Sequence, residues 1–403
     1  MEIMKMEIKV IGRSICYSLL FTVLFSLPVM PTSAKTVTYV KEYTYQASEM
    51  DSKLSCRTIA LEQVKRLLLE ELGTYLISET AVKDFELTKD QILSITAGIV
   101  MAVILDEKWD GKTYSLKAKI STETDQLVKL MNNIGRDQEQ SKTWEEIRNK
   151  TEEALKEIEK FKKEIGIGGG EKTTQEKHTK LVHKLNAIDW FKNGYKLRYR
   201  DKNNQEAMKA FDKAIELDAN LAIAYAGRAA IYDDWGEYQK ALRESEQAIQ
   251  LDPNHAWGFN TRGWANIGLH NFQKAMEDLN RAIELFPKYA YAYANRSRVH
   301  HILKNYHRAL DDANKAIKCN PELSTGYFRR GRALVSLNKF QDAIRDFDKS
   351  IELDPTFSWS FLQRGYTYLK LDKTEQASED LRKAASLGNK DAQDYLKKKG
   401  IRW

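Results

Sequence analysis

The feature that most constrains this chain is a 34-residue period in its second half. Three columns of residues recur at that interval, two made of small side chains and one of prolines. The columns are Ala207, Ala241, Ala275, Ala309, Ala343 and Ala377; Ala214, Ala248, Ala282, Ala316, Ser350 and Ala384; and Pro253, Pro287, Pro321 and Pro355. A period of this length is typical of a solenoid, in which each unit can bury its apolar face only against its neighbours.

One copy, from Ala256 to Tyr289, indicates what the unit is. Two segments with helical periodicity flank a turn near His270. Pro287 ends the second segment because proline lacks the amide hydrogen that a helix needs. Small residues such as Gly263 stand where the two helices must approach closely. The sequence therefore predicts stacked helical hairpins that share one core.

The aromatic, glycine, alanine and proline positions of the unit recur from copy to copy. One copy has Phe259, Gly263, Ala275, Leu279, Ala282 and Pro287, and another has Tyr327, Gly331, Phe340, Ala343, Phe347 and Pro355. On these positions the units resemble tetratricopeptide repeats. The first copy departs from the pattern, because Trp190 and Gly194 fit only with one residue inserted before Ala207. The resemblance implies six repeats over residues 187–391, an α-solenoid fold and binding of a peptide or protein, with a capping helix over residues 392–403.

Residues 35–133 are predicted to form a separate small α+β domain. Asp51 is expected to cap a long helix over residues 52–77, and the pair Asp110 and Gly111 predicts a β-hairpin. The segment is similar to the exported N-terminal domain of the flagellar assembly protein T family at Asp51, Ala60, Leu61, Gly73, Thr74, Thr80, Gly98 and Trp109. That resemblance implies a cell-envelope setting and no catalysis.

The chain opens with a predicted secretory signal over residues 1–34. Basic residues precede an apolar run over residues 15–30, and small residues follow it up to Ala34. The alternative is an uncleaved membrane anchor, since the run approaches the about 18 residues that a spanning helix needs. Cleavage would make the protein periplasmic or secreted. It would leave Cys56 and Cys319, neither of which has a neighbour at metal-ligand spacing.

A charged helical linker over residues 134–186 is predicted between the two domains. Apolar residues in steps of three and four form a seam of about three heptads, made by Trp144, Ile147, Thr151, Ala154, Ile158, Phe161 and Ile165. A glycine-rich segment at 166–170 then interrupts the helix. Two arrangements fit: a hairpin that folds back on itself, or a coiled coil that self-associates through residues 136–165.

The first helix of each repeat lines the concave face in this fold, and its inward columns are rich in aromatic, arginine and asparagine side chains. They are Trp257, Asn260, Trp264, Tyr291, Asn295, Arg298, Phe328, Arg329, Arg332, Trp359 and Tyr366. Such side chains supply rigid anchors and hydrogen-bond donors for a peptide groove. The alternative for any one ring is packing between repeats. Arg298, Arg329 and Arg332 would favour an acidic or C-terminal peptide group.

Another periodic arginine is predicted to be structural. It lies on the first helix of each repeat, and an acidic residue follows it 16 positions later on the second helix. The pairs are Arg228 with Glu244, Arg262 with Asp278, Arg296 with Asp312, Arg330 with Asp346 and Arg364 with Asp380. We expect these residues to form ion pairs that hold the scaffold together rather than a ligand site.

The sequence offers no acid–base pair, nucleophile constellation or metal-ligand cluster, so no enzyme, cofactor or metal site is predicted. The net charge of +7 is mild, and an exported protein would rarely meet nucleic acid. Membrane contact is expected only through an uncleaved leader. The function predicted is an exported adaptor or scaffold that holds a peptide or protein in cell-envelope assembly or maintenance. The alternative is a structural envelope subunit that self-assembles.

Overall fold

The computed structural model describes residues 36–48, 51–78, 89–123, 127, 138–165 and 172–402. The predicted leader and the glycine-rich segment at 166–170 lie outside these residues.

The N-terminal region contains a three-stranded antiparallel sheet among its described residues. The strands are β1 (Thr36–Gln46), β2 (Val103–Trp109) and β3 (Thr113–Glu123), in the spatial order β1-β3-β2. The same region contains two helices, α1 (Lys53–Ser78) and α2 (Lys89–Ile99), which lie between β1 and β2 in the chain. The hairpin predicted at Asp110 and Gly111 is confirmed, because the Asp110 carboxylate accepts the amides of Lys112 at 2.8 Å and Thr113 at 2.6 Å.

The cap of α1 differs from the prediction. Ser52 caps this helix, since its hydroxyl accepts the Ser55 amide at 3.1 Å. Asp51 is turned to a buried site, where its carboxylate accepts the Ser48 amide at 2.8 Å and lies 3.2 Å from Nε2 of His178 on a distant helix. Burial alone would raise the pKa of Asp51, but hydrogen bonds from His178 and Ser48 lower it to about 2. Asp51 therefore joins two regions of the chain.

The linker is a helical hairpin formed by α3 (Gln138–Ile165) and α4 (Lys172–Tyr199). The two helices run antiparallel, because Trp144 near the start of α3 meets Tyr195 near the end of α4, with ring centroids 4.9 Å apart. Four seam residues are buried within the chain: Trp144, Ile147, Ala154 and Ile158. These four side chains are not free to meet a second chain. Of the two arrangements left open by the sequence, the structure has the hairpin.

An ion network fastens this hairpin to the N-terminal region. Lys65 of α1 donates to Glu62 at 2.6 Å and to Asp189 of α4 at 2.7 Å. Nearby, Thr58 donates to the side-chain oxygen of Asn186 at 3.2 Å. Because α4 continues without a break through residues 186 and 187, the predicted boundary between linker and repeats falls inside one helix.

Within residues 172–398 the helices form six consecutive hairpins and a closing helix. After α4 they are α5 (Asn204–Leu217), α6 (Ala222–Asp234), α7 (Tyr238–Leu251), α8 (Ala256–Gly268), α9 (Phe272–Leu285), α10 (Ala290–Ile302), α11 (Tyr306–Cys319), α12 (Ser324–Ser336), α13 (Phe340–Leu353), α14 (Ser358–Leu369), α15 (Thr374–Ser386) and α16 (Lys390–Lys398). Hairpin 1 is α4 with α5, hairpin 2 is α6 with α7, and so on to hairpin 6, α14 with α15. The predicted α-solenoid is confirmed.

Close approach of the helices explains the small residues in the repeat. The alanine column that runs from Ala207 to Ala377 is completely buried in all six hairpins. A Cβ atom added to Gly263 would lie 2.9 Å from Cγ of Leu279, and one added to Gly331 would lie 2.6 Å from Cε1 of Phe347. These separations are too short for carbon atoms, so glycine is required there for packing.

The predicted arginine–acid pairs are confirmed, and four of the five arginines also contact the preceding hairpin. Arg330 donates to both carboxylate oxygens of Asp346, at 2.8 and 2.7 Å. Its remaining Nη1 donates to Asn314 of the preceding hairpin at 3.1 Å. Arg228, Arg296 and Arg364 make the corresponding two-way contacts. These arginines therefore connect neighbouring hairpins as well as the two helices of one hairpin.

Candidate functional site

The first helices of hairpins 1 to 5 enclose a cavity of about 260 Å³, which we call the groove. Its wall is made by α4, α6, α8, α10 and α12, with Thr143 of α3 at one side. The helix residues that line it are Tyr195, Arg198, Tyr199, Ala230, Asp233, Asp234, Trp257, Asn260, Thr261, Trp264, Tyr291, Asn295, Thr325 and Arg329. The groove is thus bounded by the first helices of the hairpins, on which the predicted site residues lie.

Six of the predicted site residues line the groove: Trp257, Asn260, Trp264, Tyr291, Asn295 and Arg329. Two of them are joined, because the side-chain amide of Asn295 donates to the side-chain oxygen of Asn260 at 3.0 Å. This bond between successive hairpins orients both amides. Arg298 lies beside them, with its Cζ atom 4.5 Å from the centroid of the Trp264 ring.

The other five predicted site residues are not among those that line the groove: Arg298, Phe328, Arg332, Trp359 and Tyr366. Phe328 is only 3% exposed and packs against Phe347 and Phe357, with ring centroids 6.1 and 5.0 Å away. Tyr366 packs edge-on against Tyr395 of the closing helix. Trp359 is exposed but is not among the groove-lining residues. The sequence period places these three rings on first helices, but it does not show which of them pack against neighbouring rings and which line the groove.

Three arginines, Arg298, Arg329 and Arg332, form what we call the arginine cluster. The Cζ atoms of Arg298 and Arg329 lie 4.5 and 5.9 Å from the centroid of Trp264. Those of Arg329 and Arg332 lie 5.2 and 5.9 Å from the centroid of Phe328. None of the three forms an ion pair with a carboxylate in the part of the chain that the structure describes. The cluster is therefore a concentrated, uncompensated positive charge.

Burial, and then repulsion from neighbouring guanidinium groups, lower the pKa values of Arg329 and Arg332. Burial and the charges of Arg298 and Arg332 lower the pKa of Arg329 well below its ordinary value. Burial and the charge of Arg298 likewise lower the pKa of Arg332. The Nε atom of Arg329 is buried and has no hydrogen-bond partner among the described residues. A bound anion would relieve both the repulsion and the missing bond.

His301 contacts the cluster without adding charge, and the repeat pattern does not predict this role. Its Nδ1 lies 3.5 Å from Nη2 of Arg332, and its Nε2 lies 3.0 Å from the hydroxyl of Ser336. Because arginine can only donate, Nδ1 must accept, and the proton belongs on Nε2. Burial and the charges of Arg332 and Arg329 lower the pKa of His301 to about 4, so the ring is neutral at pH 7.

The opposite wall of the groove holds an acid that is neutral. Asp234 is paired with Nη1 of Arg198 at 2.6 Å. Asp233 beside it is buried, and burial together with the Asp234 charge raises the pKa of Asp233 to about 9. Oδ1 of Asp233, Nε of Arg198 and Oγ1 of Thr325 have no hydrogen-bond partner within the described structure. Thr325 belongs to α12, the helix of Arg329, so these atoms lie on two sides of the groove. Buried polar atoms without partners are rare, and these are available to a polar ligand.

The described residues contain no cluster of histidine, cysteine and acidic side chains suited to a metal ion. None of the helices in the described part is both long and apolar enough to cross a membrane.

Family comparisons address the repeats directly. Four tetratricopeptide repeat models match residues 222–255, 260–324, 324–357 and 347–377. The chain carries tetratricopeptide repeats. The matches begin at α6, so hairpin 1, whose sequence departs from the pattern, lies outside them. No match was found among curated proteins.

Several solved structures match part of this chain. YrrB, described as a repeat protein with an unusual peptide-binding site, is 24% identical over 47% of this chain and 99% of its own, with a TM-score of 0.33. PilF of Pseudomonas aeruginosa is 18% identical over 54% and 99%, with a TM-score of 0.42. A repeat protein of Parabacteroides merdae is 22% identical over 62% and 98%, with a TM-score of 0.44.

Proposed function

We propose that this protein is a tetratricopeptide repeat adaptor that binds a protein or peptide in the groove, and that the arginine cluster selects acidic side chains or a terminal carboxylate of that partner. The observation that carries the proposal is the absence of an acid partner for Arg298, Arg329 and Arg332 within the described residues, although every arginine of the periodic column has one. Arg329 lines the groove, and Arg298 and Arg332 lie beside it. Repulsion among the three charges favours the bound state of an anionic ligand, because the ligand supplies the missing countercharge.

The aromatic side chains of the groove complement this charge. Trp264 lies under Arg298 and Arg329, and Tyr291 and Trp257 line the same wall. Rigid rings bind a peptide with little loss of conformational entropy. The paired amides of Asn260 and Asn295 offer hydrogen bonds to a peptide backbone. The groove therefore combines anchors, backbone partners and a charge preference, which suits recognition rather than catalysis.

Fluorescence anisotropy with a labelled, C-terminally amidated octaglutamate peptide tests this function. Wild-type protein is expected to bind it, and Arg329→Met is expected to weaken binding about 10- to 100-fold, since a hydrogen bond to a charged group contributes about 1.5–3 kcal/mol. Arg345→Met is the matched control, because Arg345 is a surface arginine of α13 paired with Asp342. Equal binding by all three proteins, or equal binding of octalysine, would contradict the proposal.

We also propose that residues 1–34 direct export and that the adaptor works in the cell envelope. The support is the order of basic, apolar and small residues in the leader. Cell fractionation followed by mass spectrometry of the intact protein tests this, and the expected mature chain begins at Lys35. A cytoplasmic, full-length protein would contradict it.

Self-assembly through residues 136–165 is the less favoured function, because four of the seven seam residues of α3 are buried within the chain.

A further inference from the structure

Hairpin 1 and the turn after hairpin 5 touch each other, although they are far apart in sequence. Lys202 lies in the turn between α4 and α5, and Asp354 and Thr356 lie in the turn between α13 and α14. Nζ of Lys202 donates to Oγ1 of Thr356 at 3.1 Å and lies 3.8 Å from Oδ1 of Asp354. The array has therefore wound far enough for its first hairpin to meet its fifth.

The residues that line the groove also show that the first and fifth hairpins lie close together. Tyr199 of α4 and Arg329 of α12 line the same cavity, although three complete hairpins lie between those helices. In an open trough, residues so far apart in the array would lie at opposite ends of a long surface. Here they face one space of about 260 Å³. Lys202 lies in a turn inside a hairpin and Thr356 in a turn between two hairpins, and these two kinds of turn lie at opposite edges of stacked hairpins. Their contact therefore joins the two edges of the array, which we call the margins of the groove.

We infer that the groove receives the free end of an acidic chain, and not the middle of one. This inference rests on the proposed function and adds the topology of the partner. An internal segment, with chain continuing on both sides, can be laid in only if the margins separate. A chain end needs no such opening. Because the Lys202 side chain is 66% exposed, the contact is weak by itself, and the winding of the array is what brings the margins together.

Crosslinking the margins tests the inference. Lys202→Cys and Thr356→Cys are combined in a Cys16→Ser and Cys319→Ser background and joined with a short bismaleimide. A disulfide would need Cα atoms within about 7 Å, whereas here an extended lysine side chain spans the gap. Cys56 is fully buried and is left in place. The same variant treated with N-ethylmaleimide is the control for modification without crosslinking, and circular dichroism checks the fold of both.

Two probes distinguish a chain end from an internal segment. One is labelled, amidated octaglutamate, and the other is the same eight glutamates placed between two folded domains. The crosslinked protein is expected to bind the free-ended probe within about threefold of the control and to bind the flanked probe at least 30-fold more weakly. The inference would be overturned if the crosslinked protein bound the flanked probe as tightly as the control does, or if crosslinking abolished binding of the free-ended probe. Failure of the control protein to bind either probe would instead count against the proposed function.

Discussion

Arg329 and Arg330 are neighbours in sequence, yet their replacement is expected to change stability in opposite directions. Arg330 belongs to the periodic column and is paired with Asp346, whereas Arg329 belongs to the arginine cluster and has no acid partner among the described residues. Arg329→Met should raise the free energy of unfolding, and Arg330→Met should lower it. Methionine keeps an unbranched apolar stem in both cases, so the difference reports on the charge.

The expected gain in the free energy of unfolding of Arg329→Met can be estimated from the distances of the three guanidinium groups to the Trp264 and Phe328 rings. The Cζ atoms of Arg298 and Arg329 lie 4.5 and 5.9 Å from the Trp264 centroid, so they are at most about 10 Å apart, which corresponds to a repulsion of at least about 1.6 kcal/mol at an effective dielectric constant of about 20. Arg332 adds a similar repulsion through Phe328. Salt screening and the loss of a cation–π contact, about 0.5–1 kcal/mol, reduce the gain. We expect a net stabilisation of about 1 kcal/mol.

The expected fall in the free energy of unfolding of Arg330→Met has a different origin. Its removal leaves the carboxylate of Asp346, which is only 5% exposed, without its two charge-assisted bonds. An abandoned buried partner of this kind costs about 2 kcal/mol when part of the pair is still reached by water. Urea unfolding followed by circular dichroism measures both variants, with the slope m checked for equality. Equal destabilisation by the two substitutions would refute the reasoning, because Arg329 would then be a scaffold residue.

Three further outcomes are expected. Folding raises the pKa of Asp233 to about 9, so the free energy of unfolding falls as pH rises from about 4 to about 9. Asp233→Asn should raise the melting temperature across that window. A gain that does not depend on pH would contradict this origin. Folding lowers the pKa of Asp51 to about 2, so the stability that its carboxylate contributes is present above pH 4 and is lost as pH falls towards 2. In an acid titration, the free energies of unfolding of Asp51→Asn and wild type should become equal near pH 2. A difference that stays constant with pH would contradict this prediction. Gly331→Ala places a Cβ 2.6 Å from Phe347. We expect it to lower the free energy of unfolding, measured in urea, by about 1–3 kcal/mol. An unchanged free energy of unfolding would show that Phe347 can move aside.

The sequence predicts what depends on one repeat and its immediate neighbour. The alanine columns and the arginine–acid pairs recur at fixed spacings, so the helical hairpins and the pair Arg330 with Asp346 could be predicted. It does not predict what depends on rotation accumulated over several hairpins. Asn260 and Phe328 occupy the same column on first helices, two periods apart, yet only Asn260 lines the groove. The contact of Lys202 with Thr356 depends on that same rotation.

Contacts between distant segments are also beyond local patterns. Asp51 carries the signature of a helix cap, but a buried site beside His178 offers its carboxylate more hydrogen bonds than the helix end does. Lys65 likewise meets Asp189 only because α4 packs on α1. In both cases tertiary packing decides between two local options.

Arginine side-chain NMR tests the central claim most directly, because it shows which guanidinium groups meet the ligand. Octaglutamate is titrated into protein labelled with nitrogen-15 at arginine, and the Nε–Hε signals are assigned by single substitutions. The account predicts that Arg298, Arg329 and Arg332 shift together and saturate, while Arg330 and Arg364 of the periodic column do not move. Shifts confined to exposed arginines such as Arg345, with the cluster unchanged, would contradict it.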